Sequence, residues 1–252
     1  MAVSIKSARE IELMREAGKR LAHVHQELEA MIAPGISTWE IDAKGEKLIR
    51  DCGCIPNFLH YNGYPASICV SVNDEVVHGI PRKDRYLKEG DIVSLDAGLI
   101  YKGYHSDAAR THAVGKVSTE AQKLMDVTKQ SFFEGIKMAK EGQHLHDISR
   151  AIEEYVTPYG YGIVRDLVGH GIGTALHEAP EIPNYEVGRK GVKLRPGMTL
   201  AIEPMINMGT EKVRQLKNGW TVVTRDGKPA AHFEHTVAIT ENGPEILTLP
   251  EE

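Results

Sequence analysis

The chain has 252 residues, 41% of them hydrophobic and 26% charged, with 24 glycines; this ordinary globular balance excludes a low-complexity, collagenous or disordered protein. Thirty Lys+Arg against 35 Asp+Glu leave a net charge of −5, which argues against a general nucleic-acid or membrane-surface binder. The start, MAVSIKSAREIELMREAGKR, is charged throughout, and no stretch reaches the roughly 18 apolar residues of a spanning helix; neither signal peptide nor membrane segment is expected, and the expected compartment is the cytoplasm.

Ser7 with Glu10 has the spacing of a capping box and opens a predicted helix. Ile11, Met14, Ala17, Leu21, Val24 and Leu28 follow at helical intervals. Ser37 with Glu40 opens a second helix through Ile41 and Leu48. Cys52, Cys54 and Cys69 are odd in number and form no C-x-x-C pair, so free thiols in a reducing compartment are expected. His78 ends the run Val76-Val77 before a Gly/Pro turn, where a lone histidine is more often structural. Asp91–Leu95 reads as a short strand after a glycine turn.

The second half repeats this order. Offsetting the chain by 107 residues lays KEGDIVSLDAG (88–98) on RPGMTLAIEPM (195–205), so that Asp96 meets Glu203. The same offset lays Gly35–Ile41 on Gly142–Ile148. A longer echo sets His105-Ser-Asp107 against His232-Phe-Glu234. Thr119 with Gln122 is the expected cap of the third helix, residues 145–156 form the fourth, and Met198–Ile202 form the second strand. Runs of helices and then strands, without βαβ alternation, favour an α+β architecture. Two copies are too few for a solenoid. They predict one domain over 1–252, with pseudo-repeat halves of roughly 1–115 and 116–252.

The repeat puts acids where a strand should be apolar. Asp96 shares a face with Ser94 and Ile92, and Glu203 with Ala201 and Thr199. One such acid reads as a solvated strand end; two at matching positions do not. With Asp107 and Glu234 the acids number four, and without cations they would raise one another's pKa values. A divalent metal resolves this. Val168–Pro180 adds His170 and His177 in a glycine-rich segment. A dinucleotide fingerprint is excluded because its third glycine falls on Thr174, and no second histidine follows His177-Glu178 as a zinc-protease helix requires. The remaining histidines, His23 and His25 among them, read as surface or core residues.

HGIP at 78–81, Asp96 and Asp107, GHGIGTALHEAP at 169–180, AIEPM at 201–205 and FEHT at 233–236 together resemble the type I methionine aminopeptidases. The resemblance runs over essentially the whole chain and implies their pita-bread fold, two pseudo-symmetric halves around a central antiparallel sheet. It implies removal of the N-terminal methionine from nascent proteins with a small second residue, by a water that two divalent ions activate. Co, Mn, Fe(II) or Zn would serve. The implied ligands are Asp96, Asp107, His170, Glu203 and Glu234, with Asp107 and Glu234 bridging. Asp96 would then sit on one ion, and His170 and Glu203 on the other. Glu203 is the implied proton shuttle; His78 and His177 contact substrate and stabilise the intermediate. Tyr61, Tyr64, Cys69 and Trp220 line the implied methionine pocket, with Phe58 and Leu176 less fixed; the competing reading for the aromatics is core packing. Nascent-chain N-termini, a ribosome context and a monomer are implied as well, with no nucleic-acid or membrane partner. Prolidase and Xaa-Pro aminopeptidase share part of the pattern, but usually carry an N-terminal domain for which 252 residues leave no room. A non-catalytic binding protein on the same fold is expected to have lost ligands, and none of the five is missing.

Overall fold

A computed structural model describes residues 3–250. Helix α1 (Ala8–Ala30) starts as expected: the Ser7 hydroxyl accepts from the Glu10 N–H, and the Glu10 carboxylate accepts from the Ser7 N–H. Two of the N–H groups left open at a helix start are thereby satisfied. Its buried stripe includes all six residues that the periodicity marks. Helix α2 (Thr38–Asp51) is capped in the same way by Ser37 and Glu40. Helix α3 (Thr119–Ile136) corrects the expected cap by one residue. Ser118 holds the extended backbone that a cap needs, its hydroxyl accepts from the Ala121 N–H, and Thr119 is already helical. The Gln122 side chain instead donates to Asp126. Helix α4 (Leu145–Val156) has the expected bounds.

The first half supplies strands β1 (Ile55–Pro56), β2 (Ile68–Val72), β3 (Glu75–Val77), β4 (Ile92–Tyr101) and β5 (Tyr104–Ala113). The second supplies β6 (Gly162–Ile163), β7 (Gly169–Gly171), β8 (Glu178–Ile182), β9 (Thr199–Ile202) and β10 (Met205–Asn207). It continues with β11 (Val213–Gln215), β12 (Val222–Thr224), β13 (Ala230–His232), β14 (Glu234–Thr240) and β15 (Gly243–Ile246). The strand expected at 91–95 runs on to Tyr101, because the chain turns only at Lys102-Gly103, where both residues have positive φ. Asp96 therefore sits in mid-strand, opposite Ala109.

Among the described residues the main sheet has nine antiparallel strands in the order β1-β4-β5-β14-β9-β7-β8, with β2 on β4 and β15 on β14. Strand β14 joins the halves, lying between β5 of the first and β9 of the second. One helix pair, through Leu21, Leu28, Ile41 and Ile49, packs with Leu95 and Leu99. The other, through Leu124, Phe132, Ile148 and Ile152, packs with Leu200, Ile202 and Val237. This is the duplicated α+β sheet of the pita-bread fold. Cys52, Cys54 and Cys69 are free. His25 is a core histidine whose Nε2 lies 2.9 Å from the Ala108 carbonyl. No helix among the described residues is long and apolar enough to cross a membrane.

Candidate metal centre

Five neighbouring strands each bring one candidate ligand to the same place. Asp96 is on β4, Asp107 on β5, Glu234 on β14 and His170 on β7, while Glu203 follows the last residue of β9. Alanines sit beside them in the sheet: Ala109 lies opposite both Asp96 and Glu234, and Ala201 opposite His170. Small side chains there leave the carboxylates room to converge. Strand β7 needs glycine for the same closeness. A Cβ on Gly169 would stand 2.4 Å from the Ala201 carbonyl oxygen, and one on Gly171 would stand 2.3 Å from that of Ala179.

The ligating atoms of Asp107, His170 and Glu234 lie within 4.8 Å of one another. His170 Nε2 is 3.5 Å from Glu203 Oε1. Its Nδ1 lies 2.9 Å from the Gly171 carbonyl, which takes the ring proton and leaves the Nε2 lone pair facing the acids. Asp96 Oδ1, Asp107 Oδ1 and Glu234 Oε1 are buried without a hydrogen-bond partner. Buried carboxylates without a cation are costly, and a borderline divalent ion satisfies this set of oxygens and one imidazole. The residues fit the ions that the sequence predicts.

With no cation among them, burial and mutual repulsion push Asp107, Glu203 and Glu234 well above the usual carboxylate range; burial lifts Asp96 to about 7. Burial pushes His78 and His170 down to about 4, and His232 to about 3. An acid with a raised folded pKa gives stability that is full below its unfolded value, near 4, and lost as pH climbs through the folded one. A depressed histidine works in the opposite sense, its contribution complete only above about 6.5. Above that pH only the acids of this cluster still titrate toward charge. The chelated protein should therefore lose thermal stability as pH rises from about 6.5 through about 7, and the variant Asp107→Asn should lose less. A melting temperature that holds or rises over this window would contradict the assignment.

A cavity of about 210 Å³ opens onto the acids. All the predicted pocket residues line it: Phe58, Tyr61, Tyr64, Cys69, Leu176 and Trp220, together with His78 and His177. Tyr64 is fixed by donating to the Gly79 carbonyl at 2.8 Å and stands edge-on to Trp220. Cys69 lies opposite Asp96 in the sheet, and burial next to that acid raises its thiol and keeps it neutral. His78 has a φ of 58°, a left-handed conformation that costs a non-glycine residue energy and is common at functional sites. The Thr221 hydroxyl donates to its carbonyl. His177 Nδ1 is 2.8 Å from the Tyr61 hydroxyl, and its ring lies 4.2 Å from that of His170. Glu178, bonded to the Ala175 N–H and to buried Lys6 at 2.6 Å, ties down the turn that carries His177.

Sequence reasoning missed two residues. Asn62 lines the cavity from a short turn with positive φ and carries no distinguishing pattern. His232 is 2% exposed and lies beside Glu203 and Glu234. Its alignment with His105 ahead of the two acids was the available signal.

The family whose sequence model matches is metallopeptidase family M24, over residues 12–241. The chain is 55% identical over 249 residues to a methionine aminopeptidase of Clostridium acetobutylicum, covering 99% of this chain and 100% of that one. It is 53% identical over 243 residues to methionine aminopeptidase 1 of Bacillus subtilis, covering 96% and 98%. Among solved structures, a methionine aminopeptidase from Thermotoga maritima is similar with a TM-score of 0.96 and 47% identity, over 98% of this chain and 100% of that one. A prolidase from Pyrococcus furiosus is similar at a TM-score of 0.78 and 25% identity, and there the match spans 98% of this chain but 66% of the other.

Proposed function

The chain belongs to metallopeptidase family M24 and, within it, to the methionine aminopeptidases, and on that premise we propose that Asp96, Asp107, His170, Glu203 and Glu234 hold two divalent ions which cut the first peptide bond after an N-terminal methionine. The observation that carries this reading is the convergence of three buried carboxylates, the partly buried Glu203 and one oriented imidazole on a cavity lined by Phe58, Tyr64, Leu176 and Trp220. Asp107 and Glu234, from adjacent strands, would be shared between the ions, with Asp96 holding one and His170 with Glu203 the other. Bound there, the ions supply Lewis acidity, polarising the scissile carbonyl and lowering the pKa of the attacking water.

The protein's own groups do the rest. Glu203 accepts the water's proton and delivers it to the leaving amine. With Tyr61 donating to Nδ1 of His177, Nε2–H is free to donate to the substrate as negative charge develops. His78, which lines the same cavity, holds the substrate backbone. Phe58, Tyr61, Tyr64, Cys69, Leu176 and Trp220 enclose the methionine side chain and exclude water. The tight cavity favours a small residue after methionine, so Met-Ala, Met-Gly and Met-Ser starts are the preferred substrates. We take 1–252 as one metallopeptidase domain, a cytoplasmic monomer working on nascent chains near the ribosome. The prolidase-like alternative is not favoured, since the relatives that match end to end are methionine aminopeptidases.

Hydrolysis of Met-Ala-Ser and of Ala-Pro, each with and without chelator, tests this. The tripeptide is expected to be cleaved only with metal, and Ala-Pro not to be cleaved. The chelated protein should stay folded, because the hydrophobic core of a chain this long does not depend on an ion. Turnover that survives chelation, or unfolding on chelation, would overturn the reading.

A further inference from the structure

His232 ends β13, where it pairs with Met205, and its backbone is clamped on both sides by Thr111: the His232 N–H donates to the Thr111 hydroxyl oxygen, and that hydroxyl lies 2.8 Å from the His232 carbonyl. The ring is thereby held in the centre of the protein, 2% exposed. Neither of its nitrogens has a hydrogen-bond partner. A buried imidazole with both nitrogens unsatisfied requires an explanation, because such groups are almost always paired. Nε2 lies 3.7 Å from Glu203 Oε2 and 3.8 Å from Glu234 Oε2, too far for hydrogen bonds.

These separations lie about 0.1–0.2 Å beyond those of donors on one shared ion. Ligand bonds of about 2.0–2.2 Å at tetrahedral angles put neighbouring donor atoms roughly 3.3–3.6 Å apart. Glu203 shows the same relation on its other side, where Oε1 faces His170 Nε2 at 3.5 Å. Each oxygen of Glu203 thus has its own imidazole. The ligating atoms of Glu203, His232 and Glu234 form a group distinct from that of Asp107, His170 and Glu234, although both share Glu234.

We propose that His232 is a sixth protein ligand of the metal centre, giving a second imidazole to an ion held on the Glu203–Glu234 edge. The inference rests on the dinuclear reading above and adds to it. A centre with two imidazoles is richer in nitrogen than one carboxylate-dominated set allows, and nitrogen ligands favour Zn, Fe or Cu over Mn or Mg. His232 therefore also biases which metal the protein retains.

X-ray absorption of the Zn(II)-loaded protein counts imidazoles per ion, and calorimetry with Zn(II) and Mn(II) measures retention. The wild type should show two imidazoles for two ions, and His232→Gln should show one. The same variant should lose Zn(II) affinity at one site by at least about 10–100-fold, the range already seen when only outer partners of a ligand are disturbed, with a smaller loss for Mn(II). His170→Ala provides a second route that leaves His232 untouched: its bound Zn(II) should keep one imidazole. Apo melting curves of both variants identify any that fail to fold, and the wild-type imidazole count needs no variant. A single imidazole in the wild type, or none on Zn(II) in folded His170→Ala, would overturn the role of His232 and leave the dinuclear centre standing. A wild type that binds no divalent ion would overturn both.

Discussion

Glu203→Gln should lower kcat on Met-Ala-Ser by about 10²–10⁴ from loss of the proton acceptor alone, with KM changed far less. The amide keeps the shape of the side chain and can still occupy the space between the two imidazoles that face its oxygens at 3.5 and 3.7 Å. It cannot take a proton from water, and it binds metal less well than a carboxylate. The kinetics must therefore be measured at saturating metal, with bound metal counted in the same samples. If kcat survives with the metal in place, the base is another residue.

His177→Ala and His170→Ala should separate in the opposite way. The two rings lie 4.2 Å apart, yet one is assigned to substrate and the other to metal. Removing His177 should leave metal stoichiometry and melting behaviour intact while kcat/KM falls by about 10²–10³, the usual cost of one donor to a developing oxyanion. Removing His170 takes away the oriented imidazole proposed as a metal ligand. Metal affinity should fall by more than the about 10–100-fold that losing an outer partner costs, and activity should return partly as metal is added. Calorimetric titration beside kinetics on Met-Ala-Ser decides it. Should His177→Ala release metal while His170→Ala retains it, the two roles are exchanged.

The acids were legible in the sequence because duplication set Asp96 over Glu203, and the longer echo set Asp107 against Glu234. A charge at a sheet-facing position carries a desolvation cost that needs a reason, and finding it twice supplied one. The helix starts were legible for a local reason: Ser7 with Glu10 and Ser37 with Glu40 satisfy backbone N–H groups within four residues. At α3 the same rule had two adjacent hydroxyls to choose from, and backbone dihedrals, which sequence does not carry, selected Ser118. His232 escaped because its significance is not local. Apart from its alignment with His105, nothing between Ala231 and Phe233 marks a ligand; what singles it out is the approach of its ring to acids on other strands. The length of β4 was missed for a related reason, since an aspartate and a glycine inside a strand look like a terminus until the hairpin with β5 pairs them.

Strand β14 occupies the middle of the sheet although only one described strand, β15, follows it in the chain. On the ribosome, α1, α2 and the β4–β5 hairpin can emerge and pair with one another early, as low-separation contacts form fastest. The seam between the halves cannot close until residues 234–240 have left the exit tunnel, and Glu234 arrives in the same stretch. Assembly of the sheet and completion of the carboxylate cluster are therefore one event, so that a chain made only as far as β13 presents an incomplete cluster. A release of translation between β9 and β14 leaves β5 and β9 as unpaired edges, a species for chaperones and proteases to clear.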